Sequence, residues 1–169
     1  MISNEITDLT ILGIARQGPV NPPRLVSSAK FLAPEFWQPT DDVIVLAIRR
    51  NLDLGHLRSL TAEKEAKNLI LSKCGKARLG ELLLDDKSYE NWPTTTTLEA
   101  LQFCFLDSAD TETTKTVLAG MKSRLVNRLA NFEKCSYIYF GESRFSSPWV
   151  ALERQRLENW AQKLSTISK

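Results

Sequence analysis

Apolar residues along this chain fall into two kinds of cluster. The first kind is a compact run: Leu9 to Ala15 (LTILGIA), Val43 to Ile48 (VIVLAI), Thr97 to Leu106 (TLEALQFCFL) and Ser136 to Phe140 (SYIYF). These runs end in polar or glycine residues, and those at 43–48 and 97–106 are apolar on both alternating faces. That pattern predicts strands in a sheet covered on both sides. The second kind recurs at three- and four-residue steps. Val117, Leu118, Met121, Leu125, Leu129 and Phe132 make such a stripe after Asp110, which is suited to cap a helix. Trp149, Leu157, Trp160, Leu164 and Ile167 make another after Ser147 and Pro148, a serine and proline placed as at a helix start.

Between these clusters, Asn21, Pro22 and Pro23 break the chain ahead of a helical stretch from Arg24 to Leu32. Thr61 is placed to cap a further helix that Gly75 stops, and Leu79 to Leu84 fits either a strand or a short helix. Strand patterns alternating with helical ones predict an α/β fold. The expectation is a single layered domain over residues 1–169, with a mainly parallel sheet of about four to five strands flanked by helices. The rival is an α+β fold with a mixed sheet, in which Leu79 to Leu84 forms a hairpin with Thr94 to Leu106.

Length and charge narrow this picture. A chain of 169 residues is long enough to bury a core without disulfides or metals. Its 22 basic and 20 acidic residues nearly cancel, leaving a formal charge of +2, which argues against a dedicated polyelectrolyte binder. Cys74, Cys104 and Cys135 are an odd, widely spaced set and read as reduced thiols. No basic segment followed by a long apolar stretch opens the chain, and no apolar run approaches the roughly 18 residues of a membrane span. A soluble, cytoplasmic protein is expected.

In a parallel sheet, ligands collect beyond the carboxyl ends of the strands, so the strand exits carry the candidate chemistry. They supply Arg16, then Arg49 and Arg50, then Asp107, then Ser143 and Arg144; Ser146 and Ser147 follow at the start of the last helix. Free amides at a helix start attract anions, and arginine's planar fork suits phosphate or carboxylate. Those eight residues are the candidates for an anion site of nucleotide type. The competing reading is that they are polar exits paired with nearby surface acids.

Catalytic patterns are missing. His56 is the only histidine and no nucleophile arrangement accompanies it. Cysteine and histidine spacings fit no zinc site, and the doublets Asp41–Asp42 and Asp85–Asp86 sit at turns with neighbouring carboxylates directed apart. The stretch around Gly75 (CGKARLG) lacks the spacing of a phosphate-cradling loop. No catalytic residue, metal or cofactor is assigned, and the balance leans against an enzyme.

Lys115, Lys122, Arg124 and Arg128, with Arg154, Arg156 and Lys163, offer a basic helical surface, but Glu133, Glu153 and Glu158 interrupt it. The sequence thus points to a non-catalytic protein that works through another protein or through self-association, as an assembly or regulatory factor. Binding of a nucleotide or other phosphorylated small molecule at the strand ends is the alternative. Weak nucleic-acid binding through the basic helix faces is the second alternative, and nucleic acid is not the expected partner.

Overall fold

The structure is a computed structural model that describes residues 2–33, 38–60, 68–85, 92–139 and 146–167. Its first helix, α1 (Ile2–Arg16), is buried at every position from Ile6 to Ala15. Such a helix has no outward face. It is enclosed by α2 (Pro22–Leu32), α3 (Asp41–Asp53), β2 (Leu69–Leu71), α4 (Lys73–Leu83) and α5 (Trp92–Cys104), all of which contact it. Its polar side chains are absorbed locally: Thr10 Oγ1 donates to the Ile6 carbonyl at 2.8 Å and Thr7 Oγ1 to the Asn4 carbonyl at 3.0 Å.

The expected parallel sheet is absent from the described residues, and the α/β and mixed-sheet readings are both corrected. Leu9 to Ala15, Val43 to Ile48 and Thr97 to Cys104 lie in helices α1, α3 and α5, and Ser136 to Tyr139 ends the long helix α6 (Thr111–Tyr139). Phe140 lies outside the described residues. For Leu9 to Ala15 the physical reason is that a run covered on all sides looks the same whether it is a central strand or an enclosed helix, whereas Val43 to Ile48 is too short a run to show a helical period although α3 is covered on one side only. The only sheet in the described residues is an antiparallel pair, β1 (Leu57–Ser59) with β2, in the register Leu57↔Leu71, Arg58↔Ile70 and Ser59↔Leu69. Val20, between α1 and α2, adds a bridge to Leu69 through bonds of 3.1 and 2.8 Å.

The helix expected to start at Thr61 is also displaced. Residues 61–67 lie outside the described set, Leu69–Leu71 is strand, and Gly75 stands in the first turn of α4 rather than at a helix end. Leu79 to Leu83 belongs to that same helix. The helix expected over Arg24 to Leu32 is present but starts two residues earlier, with Asn21, expected as part of a break, capping it and Pro22 and Pro23 in its first turn. The cap expected at Asp110 holds. Asp110 accepts from the Thr113 amide at 2.8 Å and its hydroxyl at 2.9 Å, and these bonds hold its carboxyl below the usual carboxylate range.

The chain divides into two compact units, Met1–Thr114 and Lys115–Lys169. The first holds α1 to α5, the β pair and a 3-10 turn (Leu106–Ser108). The second holds the rest of α6 and α7 (Ser146–Ile167), with Val117, Leu118, Met121, Leu125, Leu157 and Leu164 buried. Glu153, which falls beside the apolar stripe of α7, is paired with Arg156 at 2.6 Å, and this contact lowers its pKa. Among the described residues no helix is long and apolar enough to cross a membrane.

Candidate nucleic-acid interface

Helix α3 is half in and half out. Ile44, Ala47, Ile48 and Asn51, spaced three and four apart, are buried. Asp42, Val45, Leu46, Arg49, Leu52 and Asp53 are exposed on the opposite side. An amphipathic helix is ordinarily held by its apolar stripe alone, but α3 is also pinned by a polar cluster against α1. Arg50 Nη2 and Asn51 Nδ2 both donate to Asp8 Oδ1 at 2.6 Å, and Asn51 Nδ2 also reaches the Ala47 carbonyl at 2.9 Å. Asp8 and Asn51 are buried, so a charge-assisted network of this kind fixes the rotation of α3 about its own axis.

The cluster continues into the ribbon. His56 Nδ1 lies 2.9 Å from Asn51 Oδ1. Because the Asn51 amide nitrogen is committed as a donor, its oxygen accepts, and His56 carries its proton on Nδ1. The lone histidine is therefore a brace between α3 and β1. Gly55 makes the turn between them with φ +71, a left-handed conformation that glycine adopts without strain. Ser72 closes the base of the ribbon: its hydroxyl donates to the Gly55 carbonyl at 2.6 Å, its amide to the His56 carbonyl at 2.9 Å, and the same hydroxyl caps α4 by accepting from the Gly75 amide. At Gly75 any Cβ would collide with the His56 carbonyl, so only glycine lets α4 start this close to the ribbon.

At its other end α3 is tied to α2. Lys30 Nζ meets Asp41 Oδ1 at 2.8 Å, which neutralises one of the two acids in the first turn of α3. Exposed cations in the same unit include Arg49 on α3, Arg24 on α2, Arg58 on β1 and Lys73 and Lys76 on α4.

The candidates from the strand exits are placed as follows. Arg16 is exposed at the end of α1; Arg49 is exposed on α3; Arg50, next in sequence and about 100° round the helix, turns inward to Asp8; Asp107 is exposed in the 3-10 turn. Ser143 and Arg144 lie outside the described residues. Ser146 and Ser147 open α7, in the second unit, with Ser147 exposed. Among the described residues there is no parallel sheet, so no shared strand edge gathers those of the candidates that are described. Asp8 and Arg58 were not among the expected site residues, and Asn51 was expected only as part of the strand exit that holds Arg49 and Arg50. Asp8 and Asn51 had a signal, a lone carboxylate beside an apolar run and an amide seven residues after Ile44 on the same helical face.

A cleft of about 520 Å³ lies in the same unit, lined by Ile14, Phe31, Leu32 and Phe105 with Gln17 and Cys104 among its polar groups. Burial pushes the Cys104 thiol up, away from the reactive thiolate. Among the described residues no group of His, Cys, Asp and Glu is arranged to hold a metal.

The order helix, bridge, helix, helix, strand, strand, with the third helix bare on one side and a two-stranded ribbon beside it, is that of a winged helix-turn-helix. Among solved structures the chain is similar to Bacillus subtilis PadR, at 16% identity and a TM-score of 0.44 over 98% of this chain and 94% of that one. It is also similar to PadR in complex with operator DNA, at 17% identity and TM-score 0.40 over 95% and 96%, and in complex with p-coumaric acid, at 15% and 0.43 over 98% and 94%. No family model and no curated protein matches the chain.

Proposed function

We propose that the chain binds double-stranded DNA and regulates transcription, offering α3 to the major groove with the β1–β2 ribbon alongside. This replaces the expectation of an assembly or protein-interaction factor, whose warrant was largely the absence of recognisable catalytic chemistry in the sequence. It also replaces the nucleotide reading, and it reverses the expectation that nucleic acid is not the partner. In PadR, the regulator whose solved structures this chain resembles, the recorded complex is with operator DNA. The interface moves from the basic faces of α6 and α7, where the sequence suggested one, to α3 and the ribbon.

One observation carries the reading: α3 is locked in rotation by Asp8, Asn51 and His56 while its whole opposite face is left open. The major groove, about 12 Å wide, admits a single helix in that way. Arg49 and Arg58 are the exposed cations on the helix and on the strand that follows it, placed to meet phosphates or base edges.

Fluorescence anisotropy with labelled duplex over a salt series tests this. Binding is expected to weaken as salt rises, with a log–log slope of about −0.9 per phosphate contact. Arg58→Ala is expected to flatten the slope by about one contact and Arg49→Ala to weaken binding by about tenfold. A chain that ignores duplex DNA even at low salt overturns the proposal.

A further inference from the structure

The exposed face of α3 is unusual for a surface that meets a polyanion. Two of its members are aliphatic and well exposed, Val45 at 43% and Leu46 at 58%, and its first turn carries the acid Asp42. Only Arg49 among the four residues 42, 45, 46 and 49 is basic. Attraction to phosphate does not account for such a face, whereas the edges of base pairs do.

We propose that α3 reads sequence through this quartet, with Val45 and Leu46 against thymine methyl groups, Asp42 accepting from a cytosine amino group and Arg49 donating to a guanine. The proposal rests on the DNA-binding reading and goes beyond it by naming the residues that set specificity. Asp42 and Arg49 are seven residues apart, about 10 Å along the axis, and Val45 and Leu46 lie between them on the same side. That length matches about three base-pair steps of 3.4 Å. In the major groove the thymine C5-methyl is the apolar group, the cytosine N4 is a donor and the guanine O6 and N7 are acceptors, so each side chain has a partner of the matching kind.

The acid sharpens the choice. A carboxylate facing any base edge but a donor is left without a bond in a desolvated groove, so Asp42 works as much by rejecting wrong sequences as by holding the right one. Asp41, its neighbour, is already paired with Lys30 and adds no such demand. The rival occupant of an apolar helix face is a second copy of the chain. Here Asp42 lies one turn before the Val45–Leu46 pair and Arg49 one turn after it, with Asp53 a further turn on, and a dry seam between helices would have to bury them.

The experiment uses the full chain and random-sequence duplexes, from which bound sequences are selected and then resynthesised with deoxyuridine in place of thymidine. Removing a contacted methyl is expected to weaken binding about fourfold, the effect of one buried methylene-sized group. In Leu46→Ala and Val45→Ala the thymidine and uridine duplexes are expected to bind more nearly alike, and Asp42→Ala is expected to accept other base pairs at the position where the wild type selects cytosine. Duplex binding that is salt-dependent yet indifferent to uridine overturns this inference and leaves the DNA-binding reading standing. No selected sequence and no retained duplex removes both. A concentration-dependent dimer that Leu46→Asp dissociates, with duplex binding unchanged, assigns the face to a second copy and also overturns the inference.

Discussion

Helices α1 and α3 lie against each other and share one polar cluster, yet they are built to opposite plans. Every residue of α1 from Ile6 to Ala15 is buried, whereas α3 buries every third or fourth residue and leaves the others open. The first plan suits a pillar that other helices lean on. The second suits a part that is held from behind and works from the front. Function is therefore sought on α3, although α1 is the more apolar and the more central of the two.

The largest effect is expected where the pillar is cut. Leu9 is fully buried, and Leu9→Ala is expected to cost about 3 kcal/mol, read as a lower denaturation midpoint with an unchanged slope. A loss below 1 kcal/mol, on the order of a surface change, would mean that α1 is not enclosed as described. Next comes the joint between the helices. Asp8→Ala leaves Asn51 and Arg50 without their shared acceptor and is expected to cost about 2 kcal/mol, discounted because the Arg50 side chain is 30% exposed. If the cluster acts as a unit, Asn51→Ala made in the Asp8→Ala background is expected to add much less than Asn51→Ala alone, by 0.5 kcal/mol or more in a double-mutant cycle. Simple additivity would show that the joint is two separate contacts.

These contrasts also show what the sequence could reveal. The stripe of α6 was legible because one side is apolar and the other charged, that of α7 was legible at Leu157 and Leu164 but not at Ile167, which is exposed, and the cap Asp110 was legible because capping chemistry is local. The pillar was not. A run such as LTILGIA carries no period when all of its sides are covered, and VIVLAI is too short a window on α3. The signal that distinguishes a helix there lies outside the run, in Asp41 and Asp42 in the first turn and Asn51 a further turn along the buried side. The ribbon was hidden for another reason. Each of its strands has three residues, and Leu69 to Leu71 was absorbed into a helical pattern extended from Thr61. With helices read as strands, the expected site lay at strand exits instead of on the outward face of α3, and Arg49 is the residue common to both.

The smallest expected effect on stability is the one that tests the comparison most closely. Leu46→Ala removes a side chain that is 58% exposed and replaces it with the strongest helix former. The two changes nearly offset, so the midpoint of unfolding is expected to stay within about 0.5 kcal/mol of wild type. The same truncation at Leu9 is expected to cost several times more, although both leucines stand in helices that touch. Measured over a range of protein concentrations, a loss at Leu46 above about 1.5 kcal/mol, beyond the usual surface range, that grows with protein concentration and fades on dilution would mean that a second copy covers the face in solution. In that event α3 would be a second enclosed helix, and the distinction between the part that holds and the part that reads would be lost.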